Sequence, residues 1–120
     1  VRKDGNVYVN GGLVHSSDSR LKNNIEPLNY GLNEILKLNP VKYNWKRYPD
    51  EKTKNIGLIA QDVQKLIPEL VKTGEDKYLA LDYTNLTPVL INAVKELSKK
   101  IDEIKKENEE LRKEIKSIGK

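Results

Sequence analysis

The chain has 120 residues, with 22 Lys and Arg against 18 Asp and Glu, one His, and no Cys, Met or Phe. That length predicts one domain. Hydrophobic residues make up 37% and charged ones 33%, so apolar material is thin and part of the chain is expected to bury itself against another chain. The positive excess of four is interspersed with acidic residues and does not mark a nucleic-acid binder. Without Cys there is no disulfide, no thiol catalysis and no thiolate-held metal, and the single His15 cannot build a zinc site. No metal or other cofactor is expected, and no apolar run reaches the ~18 residues of a membrane span. A signal peptide is not expected either. Most enzyme classes are disfavoured on these grounds.

In residues 1–16, Val1, Val7, Val9, Leu13 and Val14 alternate with polar residues around Asp4-Gly5-Asn6 and Asn10-Gly11-Gly12. These read as short strands and turns, the end of a β-rich stalk that begins upstream. In residues 29–38, Leu32, Ile35, Leu36 and Leu38 fall near one helical face, with Asn29 as a candidate cap and Pro40 as the stop. Val41–Trp45 alternates as a strand does, residues 46–55 read as a charged turn or loop, and Ile56–Ala60 reads as a second strand. A helix over 61–67 ends at Pro68. Leu70-Val71 and Tyr78–Tyr83 complete the body as strands across a turn at Thr73–Asp76. Trp45 and the tyrosines are assigned to packing.

From Leu90 the apolar residues step by four and three. With Val94, Ile101, Asn108 and Ile115 at a, the d positions are Leu90, Leu97, Ile104, Leu111 and Ile118. This 3.5-residue repeat predicts a helix over 86–118 that supercoils with copies of itself. Thr84 and Asn85 are cap candidates, and Pro88 falls in the first turn where it is tolerated. Asn108 in the core favours a parallel, in-register assembly. The mixture of Leu and Ile at d leaves two against three strands open. Of the flanking pairs across a parallel seam, Glu107 with Arg112 attracts and Lys100 with Lys105 repels. The remaining Lys and Glu read as a solvated face.

At the junction lies Ser16-Ser17-Asp18-Ser19-Arg20-Leu21-Lys22-Asn23-Asn24-Ile25. By composition alone it reads as a capped turn. Three stretches in order change that reading: Ser17-Asp-x-Arg-Leu-Lys-x-x-Ile25, then Gly57-Leu-Ile-Ala-Gln-Asp-Val-Gln64 with Pro68-Glu-Leu-Val71, then Leu81-Asp-Tyr-Thr-Asn-Leu-Thr-Pro-Val-Leu-Ile-Asn-Ala-Val-Lys-Glu-Leu97. Together, over about residues 16–118, the chain resembles the C-terminal intramolecular chaperone and auto-peptidase domain of bacteriophage tail spikes, tail fibres and neck appendages, the endosialidase type. A related module occurs in the myelin regulatory factor.

That resemblance implies a homotrimer that guides folding of an upstream β-helical stalk of the same polypeptide and is then released by a Ser–Lys dyad. Ser17 is the implied nucleophile and Lys22 the implied base, with Ser16, Asp18 and Arg20 supporting the cleavage site. Attack by Ser17 on the preceding carbonyl closes a five-membered ring, so Ser16–Ser17 is the expected bond and Ser17–Asp18 the second choice. A hydroxyl needs a base near neutral pH. A lysine amine is ordinarily protonated there, and burial or neighbouring positive charge favours its neutral form. Arg20 is the candidate neighbour, and an assembled trimer supplies more burial than a lone chain. His15 is a weaker rival base. The Gly57–Asp62 stretch is assigned to contact between subunits.

The expected fold is therefore α+β: residues 1–16 as the end of a β-rich stalk, 17–85 as a small mixed α/β chaperone body, and 86–120 as a long helix in a parallel trimeric coiled coil. The expected location is a virion tail or appendage precursor made in the bacterial host cytoplasm, with itself and its stalk as partners and neither nucleic acid nor membrane. The alternatives are a non-cleaving trimerisation module and, more distantly, a dimeric coiled-coil adaptor.

Overall fold

The computed structural model describes residues 10–11 and 14–119. Apart from Asn10, Gly11 and Val14, the strands expected before Ser16 lie outside the described residues. The body consists of one helical turn α1 (Leu32–Ile35), strands β1 (Val41–Tyr43) and β2 (Asn55–Gly57), helix α2 (Ala60–Leu66), and strands β3 (Val71–Thr73) and β4 (Leu79–Leu81). Helix α3 (Leu86–Ile118) follows. β1 pairs antiparallel with β2 (Val41 opposite Gly57), and β3 pairs antiparallel with β4 (Val71 opposite Leu81), giving two separate ribbons.

Local chemistry explains the boundaries. α2 closes at Leu66 and a 3₁₀ turn over Pro68–Leu70 leads directly into β3. The β3–β4 turn is closed by Gly74 N–H donating to Tyr78 O (2.9 Å) and Lys77 N–H to Gly74 O (2.9 Å). Lys77 sits at φ 69° there. β1 stops at Tyr43, two residues short of the expected strand, but Trp45 still packs edge-on against Tyr43 with ring centroids 5.0 Å apart. The Asn44 side chain ties back the 44–54 loop by donating to Glu51 O and Thr53 O.

The core is small, as the composition requires. Val63, Ile67, Leu70 and Val89 form its centre, with Leu58, Leu81 and Leu86 among the half-buried residues around it. Gly57 is buried because Tyr43 and Tyr83 close over it, and a Cβ there would lie 2.7 Å from Tyr83 Oη. That same hydroxyl accepts from Leu58 N–H at 2.9 Å. Gly57 and Leu58, in the stretch expected to bridge subunits, thus pack inside their own chain, whereas Ile59 is 43% exposed.

The helix expected over 29–38 is corrected to the single turn α1, capped at Gly31 rather than Asn29. Two side chains of α3 hold the preceding backbone extended. Asn92 Nδ2 donates to Leu28 O (3.1 Å) and Tyr30 O (2.9 Å), and Glu96 Oε2 accepts from Leu32 N–H (3.2 Å). These long-range bonds hold residues 28–32 against α3, and tertiary contact overrides the apolar periodicity there.

α3 runs as expected, about 50 Å long at ~1.5 Å per residue. Its Asn85 makes no side-chain cap; instead Asp82 accepts from the Asn85 N–H (3.1 Å) and from its side-chain amide (2.8 Å). The body docks on one flank only, where Leu86, Val89, Asn92, Ala93 and Glu96 recur with helical spacing. In the heptad register these are c, f and g positions. The a and d residues Leu90, Val94, Leu97, Ile101, Ile104, Leu111, Ile115 and Ile118 are all free of the body and 43–84% exposed, and Asn108 is exposed on the same line. Among the described residues, no helix is long and apolar enough to cross a membrane.

Candidate active site

Ser17 and Lys22 flank a 3₁₀ turn over Ser19–Leu21. The turn forms because Asp18 caps it: the Asp18 carboxylate accepts from Arg20 N–H at 2.9 Å, while Leu21 N–H donates to Asp18 O (3.0 Å) and Lys22 N–H to Ser19 O (3.1 Å). Reversal of the chain over residues 18–21 returns the Lys22 side chain to the start of the loop. There Lys22 Nζ donates to Ser17 Oγ at 2.6 Å. A nucleophile and a base need this reach for proton transfer.

Arg20 does not aim at Lys22 or at a peptide carbonyl. Its Nε and Nη2 grip Asp18 Oδ1 and Oδ2 at 3.1, 3.3 and 2.8 Å, a side-on bidentate pair. The Arg20 side-chain bond, followed by the Arg20 backbone N–H, holds the Asp18 carboxyl below its ordinary range. The carboxylate in turn holds the guanidinium above its own. The Arg20 charge is matched by Asp18, and the pair braces the turn. His15 and Ser16 are exposed and, among the described residues, no hydrogen bond joins either one to the dyad.

Ser17 and Lys22 are themselves exposed in the single chain. Leu21, the last residue of the turn, is 76% exposed, and residues 22–30 leave it as an arm without regular structure that carries Ile25 at 74% exposure and turns at Asn24 with φ 53°. Asn tolerates this left-handed conformation better than most residues. The arm reaches the body at Leu28 and Tyr30, where Tyr30 Oη donates to Glu69 at 2.8 Å and is held above the ordinary phenol range by that bond. Leu28 and Tyr30 join Glu69, Leu70, Pro88 and Val89 in lining a shallow cleft of about 180 Å³. Among the described residues, no group of three or more His, Cys, Asp or Glu is placed to hold a metal ion.

Ser17 and Lys22, singled out from the sequence, lie within hydrogen-bond reach; Asn92 and Glu96, which anchor the arm, were missed. The heptad register assigns both to solvated positions. The available signal was Val89 and Ala93, apolar or small residues off the a/d line that announce a second buried face.

Residues 17–72 match the family Peptidase_S74, described as the chaperone of endosialidase. The chain is 33% identical over 102 residues to the long tail fiber protein Gp37 of Enterobacteria phage K3, covering 80% of this chain and 8% of that protein. It is 30% identical over 135 residues to the myelin gene regulatory factor-like A of Dictyostelium discoideum, covering 97% of this chain and 14% of that protein. With the myelin regulatory factor homolog 1 of Caenorhabditis elegans it shares 28% identity over 104 residues, or 79% of this chain and 11% of the relative. The chain thus spans only a small part of each of these relatives. Motif order, matched segment and relatives agree, and the chain belongs to the chaperone of endosialidase family.

Proposed function

We propose that this chain is a C-terminal intramolecular chaperone of a phage tail fibre or spike, and that it assembles as a parallel homotrimer and then cuts itself free. The observation that carries the peptidase reading is the 2.6 Å approach of Lys22 Nζ to Ser17 Oγ. In the neutral form, the Lys22 amine takes the Oγ proton as Oγ bonds to the Ser16 carbonyl carbon. The proton passes to the Ser17 nitrogen as the C–N bond breaks, leaving an ester between Ser16 and the Ser17 side chain. Water hydrolyses that ester, giving a Ser16 carboxylate and a new amino terminus at Ser17. Ser17–Asp18 is the second-choice bond.

The assembly reading rests on the division of α3 into two faces. The body occupies c, f and g positions, while the complete a/d line remains exposed. Three copies meeting along that line bury it, and Asn108 fixes their register. Cleavage late in folding follows from the exposure of the dyad in one chain: burial that favours a neutral amine is supplied by the assembled trimer and its stalk. Location at the virion tail follows from the tail fibre relatives.

The test uses the full-length protein as wild type, Ser17→Ala and Lys22→Ala. Intact mass is expected to show a split wild type and two whole variants, all three trimeric by sedimentation. Uncut wild type in a folded trimer leaves an assembly module with no peptidase activity.

A further inference from the structure

The arm that carries the Ser17–Lys22 loop is hydrogen-bonded to the rest of the molecule, among the described residues, at residues 28–32. Among the described residues, no hydrogen bond joins residues 22–27 to the body. Five residues separate Lys22 from Leu28, a reach of at most about 20 Å when fully extended. What fixes the near end of that reach is α3. The two amide hydrogens of Asn92 serve the carbonyls of Leu28 and Tyr30 at 3.1 and 2.9 Å. One helical turn further on, Glu96 accepts from Leu32 N–H. Between them Gly31 lies so close to the Glu96 carboxylate that a Cβ would overlap it, and its own N–H donates to Glu34 at 2.7 Å. Residues 28–32 are thus bolted to the same two turns of α3 that carry Leu90, Val94 and Leu97, the first residues of the a/d line.

We propose that Asn92 is a positioning residue for self-cleavage, coupling the seating of α3 in the assembly to the placement of the Ser17–Lys22 loop. This rests on the self-cleaving reading above. Asn92 touches neither reacting group. It fixes two alternate carbonyls at the root of the arm, so the peptides between them cannot twist independently of the helix. Without it, the hydrogen bonds left between residues 28–32 and the rest of the described residues beyond α1 and its cap are those of Leu32 with Glu96 and of Tyr30 with Glu69. Displacements of about 1 Å at a reacting pair are worth up to about a hundredfold in rate.

The experiment compares cleavage rates of full-length wild type, Asn92→Ala, Asn92→Gln and Val63→Ala, followed by intact mass well below every unfolding transition, with oligomeric state measured in parallel. Val63 is fully buried in the body and makes none of the bonds to the arm, so Val63→Ala reports destabilisation alone. Asn92→Ala is expected to assemble normally and cut at least about tenfold more slowly. Asn92→Gln, which keeps a donating amide, recovers part of that loss, and Val63→Ala cuts within about twofold of wild type. Asn92→Ala at the wild-type rate, slowing matched by Val63→Ala, or a Gln variant as slow as the Ala variant overturns the coupling. A wild type that never cuts removes the self-cleaving reading itself, which a cleaving wild type with an unaffected Asn92→Ala does not.

Discussion

Val89→Ala separates the two faces of α3 in one substitution. Val89 is 2% exposed and belongs to the core with Val63, Ile67 and Leu70, yet it sits one residue before Leu90 at the start of the a/d line. The change removes two buried methylene equivalents, worth about 1.6 kcal/mol at ~0.8 each. Incomplete collapse of the space left behind adds up to about 1 kcal/mol. The better helix propensity of Ala returns roughly 0.5 kcal/mol. The net expectation is a loss of about 1–2 kcal/mol from the body with oligomeric state unchanged. Urea unfolding followed by fluorescence of Trp45, the single tryptophan, reads this directly. Chain concentration must be held constant, because self-association contributes to apparent stability. A change below about 0.5 kcal/mol would mean Val89 is not packed against the body. A stable body with a lost oligomer would mean the two faces of the helix have been exchanged.

Two further outcomes follow from the same geometry. Ile101→Asp places a charge in the proposed seam, 45% exposed in the single chain, and is expected to convert a sedimenting trimer to monomer; a wild type that sediments as a dimer contradicts the trimer. Because Arg20 holds the Asp18 carboxyl below its ordinary range, the turn is stabilised at pH above the unfolded carboxyl value and loses that support as pH falls through the lowered folded value. The Arg20 amide resonance should therefore titrate below the ordinary Asp range, and a midpoint at or above that range would show that the Asp18–Arg20 bond does not form in solution.

The parts of this fold that were legible in the sequence are those whose pattern is independent of distant contacts. α3 was readable end to end because a heptad repeat states its own register, and the helix holds from Leu86 to Ile118. β1, α2, β3 and β4 were readable to within one or two residues, since Pro40, Pro68 and Gly74 punctuate them. The strand expected over Ile56–Ala60, by contrast, ends three residues earlier, at Gly57, and the helix expected over 29–38 shrinks to Leu32–Ile35. The short extent of α1 was not readable: the apolar spacing of Leu32, Ile35, Leu36 and Leu38 is helical, while the backbone groups of Leu28, Tyr30 and Leu32 are taken by Asn92 and Glu96, more than sixty residues later. The site divides in the same way. Ser17 and Lys22 are joined by the four-residue turn 18–21, which Asp18 closes locally, so their meeting follows from nearby sequence. Asp18 and Arg20, two residues apart, pair side-on across the same turn. The anchoring of the arm depends on the flank of a helix whose heptad pattern points elsewhere.

The central claim is that Ser17 and Lys22 break the chain once it has assembled, and one time course tests it most directly. Full-length protein is allowed to fold while samples are split between sedimentation and intact mass with amino-terminal mapping. The account predicts a new amino terminus at Ser17 that appears only after trimer forms and accumulates to near completion. A fully assembled trimer whose chains remain whole, or one cut at a bond away from both Ser16–Ser17 and Ser17–Asp18, would contradict it.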